Sequence, residues 1–253
     1  MFTSCVLSWS ASVLEILGPH RIPGAAYDSL QREHAPICVT NTHMDVMKRI
    51  WDWVDENDGR PIFLLTGATG LGKSTIAQTL AKGCAGDNKL AASIFFSREI
   101  PQSSSISKVI LTLAYQLAVA IPGMQEPMRA AFRADPSIPD KNLEIQFTKL
   151  VYEPILAINH PVPPTIVVID ALDECEDEGG VAKLIEIITG AFRAEFTFPL
   201  RFFFTSRLEE RIASGFLEPT KTLRTNRLAL EDFIQDDETE EEKIARLSPH
   251  ELV

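Results

Sequence analysis

The chain has 253 residues, 45% of them apolar and 23% charged, the balance of an ordinary globular protein with enough apolar material for a sizeable core, which excludes a disordered chain. No stretch approaches the roughly 18 consecutive apolar residues of a membrane-spanning helix, and 13 glycines and 16 prolines without a period exclude a collagen-like or low-complexity chain. The net charge of −11 is concentrated: residues 231–243 hold eight acids and one base, which leaves −4 for the rest. A mildly acidic body and an acidic tail both lack the basic stripe of a nucleic-acid binder, so neither nucleic acid nor membrane is an expected partner.

Cys5, Cys38, Cys84 and Cys175 stand far apart with no CxxC pair, the pattern of reduced thiols in a cytosolic protein rather than of a disulfide or zinc framework. His34 and Cys38 have ligand-like spacing, but two residues do not make a zinc site. The apolar first 17 residues have no Lys or Arg before them and are interrupted by Glu15, so they read as a short helix rather than a secretory signal. A strap broken by Gly18-Pro19, Pro23-Gly24 and Pro36 follows and closes a first segment at residue 41.

Thr42 with Asp45 resembles a helix cap, and Met47, Ile50, Trp51 and Val54 follow at helical spacing until the turn Asn57-Asp58-Gly59. Trp51 is expected on the packed face. A strand over 61–66 runs into a glycine-rich stretch and a helix from Lys73 to about Cys84. A second strand fits 92–97, and Ile106, Val109, Ile110, Leu113 and Leu117 line one helix face. Residues 123–158 read as two helices, broken by Asp135-Pro136 and Pro139-Asp140. A third strand at 165–170, apolar on both faces, suits the centre of a parallel sheet. A helix at 180–194, a strand at 201–205, a helix at 207–216 and a strand at 223–228 complete the alternation. Such alternation predicts an α/β fold, a parallel sheet flanked by helices, with ligands held beyond the strand C-termini.

Three segments fall just beyond those strand ends. Gly67-Ala68-Thr69-Gly70-Leu71-Gly72-Lys73-Ser74 matches G-x-x-x-x-G-K-[ST] in full: glycines let the backbone curl so that its N–H groups face phosphate oxygens at a helix N-terminus. Gly67, Ala68, Thr69, Gly70, Leu71, Gly72, Lys73, Ser74 and Thr75 are the expected nucleotide-binding residues, with Lys73 reaching the β- and γ-phosphates and the Ser74 hydroxyl on Mg²⁺. Four apolar residues then lead to Asp170, a magnesium-side carboxylate acting through a coordinated water. Asp173 and Glu174, just beyond, are candidates for polarising a hydrolytic water, while Glu176, Asp177 and Glu178 read as a solvated loop. Phe202-Phe203-Phe204-Thr205-Ser206-Arg207 ends a further buried strand in an arginine placed to read the γ-phosphate.

Together, Ala-Leu-Asp-Glu at 171–174, Thr-Ser-Arg at 205–207 and Phe-Phe-Ser-Arg at 95–98 resemble the NACHT family of signal-transducing STAND NTPases. The stretch with Cys38, Thr42 and Trp53 resembles the nephrocystin-type N-terminal module of fungal members. The similarity spans roughly 25–216. It implies a P-loop NTPase with a five-stranded sheet of order 5-1-4-3-2, ATP or GTP with Mg²⁺, a nucleotide-dependent switch, and a base packed near Cys38 to Thr42. On this reading residues 42–230 form the NACHT-like domain between the strap (1–41) and the tail (231–253). Two departures stand out. His43 occupies a position where relatives often have arginine, and the winged-helix region with its diphosphate-holding histidine, and the sensor repeats, do not follow; His250 is a poor substitute.

The expected function is nucleotide binding with slow hydrolysis in a signalling module, with protein partners or self-association. The alternative is a non-hydrolysing binding or scaffold fragment of a larger STAND-type protein. A small-molecule kinase would need an arginine-rich lid, for which 123–158 offer only Arg129 and Arg133. No G-x-S-x-G or HExxH motif supports other hydrolase chemistry.

Overall fold

The computed structural model describes residues 11–39, 43–56, 60–98, 106–158, 165–192, 198–209, 212, 215–216 and 224–234. Helix α1 (Val13–Leu17) opens the chain with a capping box between Ser12 and Glu15, and the strap that follows carries a 3₁₀ turn at Leu30–Arg32. Next come α2 (Met44–Asp55), β1 (Ile62–Thr66), α3 (Lys73–Gly86) and β2 (Leu90–Phe95). Helices α4 (Val109–Ala120), α5 (Gln125–Ala134), α6 (Leu143–Phe147) and α7 (Glu153–Leu156) intervene, the last two joined by a π-helical turn at Thr148–Tyr152. The chain then runs through β3 (Thr165–Asp170), α8 (Glu178–Ala191), β4 (Leu200–Ser206), β5 (Thr225–Ala229) and α9 (Glu231–Ile234).

All four pairings in the sheet are parallel, and the order β2-β3-β4-β1-β5 is the expected 5-1-4-3-2. Strand periodicity divides the side chains between two cores. Ile62, Leu64, Val167, Ile169, Phe202 and Phe204 point into the larger cluster with α1, α4 and α8. Phe63, Leu65, Ile166, Val168 and Phe203 point into the smaller one with α2 and α3. In the smaller core Phe63 stacks on Phe203 at 5.5 Å and meets Trp53 edge-on at 5.4 Å, while the Arg201 guanidinium covers the other side of the indole at 4.4 Å. Such ring pairs add specificity to the apolar burial that dominates.

The strap is part of this core. Val13, Leu17, Ile22 and Ala25 are buried in the larger cluster, and the strap lies along the free edge of β2. Phe95 N–H donates to the Ala25 carbonyl at 2.9 Å. The Gln116 carboxamide accepts from Ser93 N–H at 2.8 Å and donates to Ser93 C=O at 2.9 Å, which satisfies an edge that would otherwise invite pairing with another chain. Four residues of the expected tail, Glu231–Ile234, are helical, and Phe233 packs against the smaller core.

Elsewhere several expectations shift. Helix α2 begins at Met44, with His43 at the cap position in the left-handed region (φ 54°) and without a side-chain cap bond; Thr42 lies outside the described residues. Trp53, rather than Trp51, is the buried indole of α2, and half-buried Trp51 lies over Gly83. The second strand runs from 90 to 95 instead of 92 to 97, because Phe96 N–H bonds to the Asp170 carbonyl as the chain leaves the ladder. Residues 207–209 are not helical; Ile212, Gly215 and Phe216 are, and the rest of that expected helix lies outside the described residues. Among the described residues no helix is long and apolar enough to cross a membrane.

Candidate functional site

Because the strands are parallel, β1, β3 and β4 deliver their C-terminal residues to one edge of the sheet. There the chain curls. Gly70 (φ 87°) and Gly72 (φ 84°) both adopt left-handed backbone, which side-chain-bearing residues rarely take. At Gly72 a side chain is also excluded by space, since a Cβ would stand 2.9 Å from His43 Nε2. Ala68, Thr69, Gly70 and Ser74 are exposed, and α3 begins at Lys73, so the first amides of a helix point at the loop's concave side.

The Lys73 ammonium donates to the carbonyls of Gly67 at 2.6 Å and Ala68 at 2.8 Å. Burial pulls its pKa below the ordinary lysine range, opposed by the negative charges of Asp173, Asp170 and Glu231. Thr69, Ser74, Asp170, Asp173, Glu174 and Arg207 all line one cavity of about 480 Å³. Leu71 is half-buried against the smaller core, and Thr75 caps nothing but accepts the Thr79 hydroxyl on its carbonyl. Of the residues expected around the polyphosphate, Thr69 and Ser74 line this cavity, whereas the Lys73 ammonium is bonded to carbonyls of the loop itself.

Asp170 closes β3 and is 1% exposed. Thr205, on the adjacent β4, donates its hydroxyl to Asp170 Oδ1 at 2.5 Å and accepts from Ala171 N–H at 2.9 Å. Burial pushes the Asp170 carboxyl above the usual range, opposed by hydrogen bonds from Thr205 and Ser74 and by the charge of Arg32. A hydroxyl and a carboxylate side by side at a helix N-terminus are hard oxygen donors of the kind Mg²⁺ takes, few in number and with room for water. The donor set fits that ion.

Beyond Asp170 the backbone turns sharply: Ala171 sits at φ 59°, an uncommon conformation for a residue with a side chain. The turn sends a 3₁₀ segment, Leu172–Glu174, back along the sheet edge. Asp173 is buried and accepts from Arg207 twice, from the backbone N–H at 2.9 Å and from Nε at 2.7 Å. Arg207 also pairs with Glu209 at 3.0 Å. Burial raises the Asp173 carboxyl, but the Arg207 bonds outweigh it and hold the pKa below the usual range. Glu174 Oε2 accepts the Arg98 N–H at 3.2 Å.

Four further residues stand at this edge, of which the sequence singles out Arg98 and His43 but not Arg32 or Glu231. Arg98 donates to the Asp173 carbonyl at 2.7 Å and lines the cavity; its Phe-Phe-Ser-Arg motif was visible, its contact was not. Arg32 reaches the same cavity from the strap. His43 stands over Gly72, as above. Glu231, in the stretch read as an acidic tail, accepts the Ala68 N–H at 2.7 Å. The β1–β5 register explains this: Thr66 pairs with Ala229, so two residues further Ala68 meets Glu231. By contrast, Arg129 pairs with Glu126 on α5, and neither Arg129 nor Arg133 lines the cavity.

No curated protein matches the chain. It is similar to the solved structure of C. elegans PCH-2, at 16% identity and a TM-score of 0.34, over 76% of this chain and 44% of that one. The chain thus spans less than half the length of that neighbour. Residues 44–207, from the start of α2 through the arginine that follows β4, match the family described as Nephrocystin 3, N-terminal. With a match that covers the P-loop, the Asp170 strand and the Thr-Ser-Arg strand, the chain belongs to the nephrocystin 3 N-terminal family.

Proposed function

We propose that this chain binds ATP or GTP with Mg²⁺ and hydrolyses it slowly, as a NACHT-like signalling module of the STAND type. The observation that carries the reading is the curled loop at 67–74, exposed at Ala68, Thr69, Gly70 and Ser74, whose Ser74 and Lys73 sit beside Asp170 at the carboxyl edge of the sheet. The donor set supports the metal: the Ser74 hydroxyl and the Asp170 carboxylate are the few hard oxygen ligands that Mg²⁺ takes.

On this reading the amides of Gly67 to Thr75 and the Lys73 ammonium hold the phosphates. Lys73 exchanges its bonds to the Gly67 and Ala68 carbonyls for phosphate oxygens, which satisfy the ammonium equally well. Ser74 and Asp170 would hold Mg²⁺, which would supply positive charge against that of the phosphates. Asp173 is committed to Arg207 by two hydrogen bonds, so Glu174 is the better placed of the two carboxylates to orient a water. Arg207, steadied by Asp173 and Glu209, reads the γ-phosphate. The unit responsible is residues 42–230, in the cytosol, acting with protein partners or copies of itself.

Titration of the purified chain with ATP, GTP and their diphosphates, with and without Mg²⁺, tests this. Lys73→Ala is expected to weaken binding roughly 10- to 100-fold, the worth of a charge-assisted hydrogen bond to phosphate. Equal affinity in the two proteins discards the reading.

One observation favours a second reading, a binding or scaffold fragment without turnover: Lys73 and Ala68 are already satisfied by protein groups. Steady-state phosphate release separates the two. Asp170→Ala abolishes release if the chain is an NTPase and changes nothing if it is a scaffold.

A further inference from the structure

Part of the cavity lining is supplied by the strap, which precedes the P-loop and carries no recognisable phosphate motif. Its 3₁₀ turn Leu30–Arg32 places Arg32 in the cavity with Ser74 and Asp170. The guanidinium lies flat on the Phe95 ring, Cζ 3.7 Å from the centroid, and its Nε donates to Gln78 Oε1 at 2.8 Å. Gln78 is buried on α3, one helical turn beyond Ser74, and its amide nitrogen donates to the Tyr27 carbonyl at 2.8 Å. A single carboxamide thus ties the strap, the arginine and the phosphate-loop helix together. Tyr27 N–H to Ser93 Oγ at 2.9 Å fixes the strap to β2 as well.

This is how an arginine is prepared for an anion. Stacking and the Nε bond remove the side chain's freedom, and the two terminal nitrogens are left without a hydrogen-bond partner among the described residues. A planar fork held in this way matches two phosphate oxygens. The ordering that a flexible surface arginine undergoes on binding is already done. Charge points the same way: Arg32 feels Asp170 as its main opposite charge, which puts it beside the carboxylate assigned to the metal in the reading above.

We infer that Arg32 is a γ-phosphate-sensing residue supplied by the N-terminal strap, with Gln78 as its positioning residue, so that the strap distinguishes nucleoside triphosphate from diphosphate. The inference rests on the nucleotide-binding reading above. Were Arg32 merely structural, its loss would weaken both nucleotides alike.

The experiment is a calorimetric titration of the full chain, Arg32→Ala, Arg32→Lys and Lys73→Ala. The probes are the slowly hydrolysed thio-analogues of ATP and GTP, and ADP and GDP, all with Mg²⁺. Arg32→Ala is expected to weaken the triphosphate about tenfold or more and the diphosphate less than twofold. Arg32→Lys, which keeps the charge and loses the fork, falls between Arg32→Ala and the parent, and decides the matter if Arg32→Ala does not fold. Equal losses for triphosphate and diphosphate, or no loss for either, overturn the role of Arg32 while Lys73→Ala still reports on the P-loop. A parent chain that binds none of the four nucleotides overturns both readings together.

Discussion

Two walls line the cavity, and they are held by different kinds of order. On one side Asp170, Asp173 and Arg207 are the last residues of adjacent strands or the first beyond them, fixed by the β3–β4 ladder and by short bonds among themselves. On the other, Arg32 and Arg98 come from the strap and from the segment after β2. They are held by side-chain bonds between groups far apart in sequence: 46 residues for Arg32 to Gln78 and 75 for Arg98 to Asp173. The first wall is built into the central sheet, whereas the second is joined to it through side chains, Arg32 over Phe95 of β2 and Arg98 on the Asp173 carbonyl.

The largest expected effect breaks the first wall alone. Asp170→Asn keeps shape and the Thr205 bond but removes the charge that a divalent ion needs. The enhancement of nucleotide affinity by Mg²⁺ should vanish, with the variant in Mg²⁺ matching the parent in chelator. The same variant should melt at an equal or higher temperature, because burial already disfavours the ionised carboxyl at this site. A retained Mg²⁺ response would remove Asp170 from the metal site.

The contrast between the walls is also the contrast between what the sequence discloses and what it conceals. The glycine loop, Lys73, Ser74 and Asp170 are legible because each lies next to the strand that positions it, so that motif and geometry coincide. The alternation of elements predicts a parallel sheet, but its order follows from resemblance, since period alone says nothing about which strands are neighbours. Arg32 is invisible for a physical reason: its role depends on Gln78, Phe95 and Ser93, which only tertiary folding assembles. Glu231 looks like part of a solvated acidic run until the β1–β5 register sets it beside Ala68. Trp51 packs half-buried against the smaller core as expected, but Trp53 is the more deeply buried indole because the buried stripe of α2 follows Val46, Ile50, Trp53 and Val54.

Breaking the second wall should have a smaller effect that is read in stability as well as binding. Gln78→Leu leaves the Tyr27 carbonyl and the Arg32 Nε without their partner inside the fold. Loss of such buried bonds costs about 1–3 kcal/mol, seen as a lower midpoint in urea with an unchanged slope. Proteolysis should then cut the strap between 21 and 39 earlier than in the parent. If the slope falls as well, the fold has changed more widely than the strap, and the two walls are not independent.

The finest test sits where the first wall meets solvent. Asp173 is buried and Arg207 is 40% exposed, so their bond is partly screened by solvent. Its pH dependence has a definite sign. Burial raises the Asp173 carboxyl, the Arg207 bonds more than offset this, and the net pKa lies below that of the unfolded chain. Stability from this group is therefore complete above the unfolded carboxylate pKa of about 4 and fades as pH falls through the lower folded value. The stability difference between the parent and Asp173→Asn, measured by urea unfolding, should stay flat from about pH 8 to pH 5 and shrink below about pH 4. A difference that instead grows on acidification would mean that the carboxyl is held protonated, and Arg207 would then lose the Asp173 charge that helps to steady it beside the cavity.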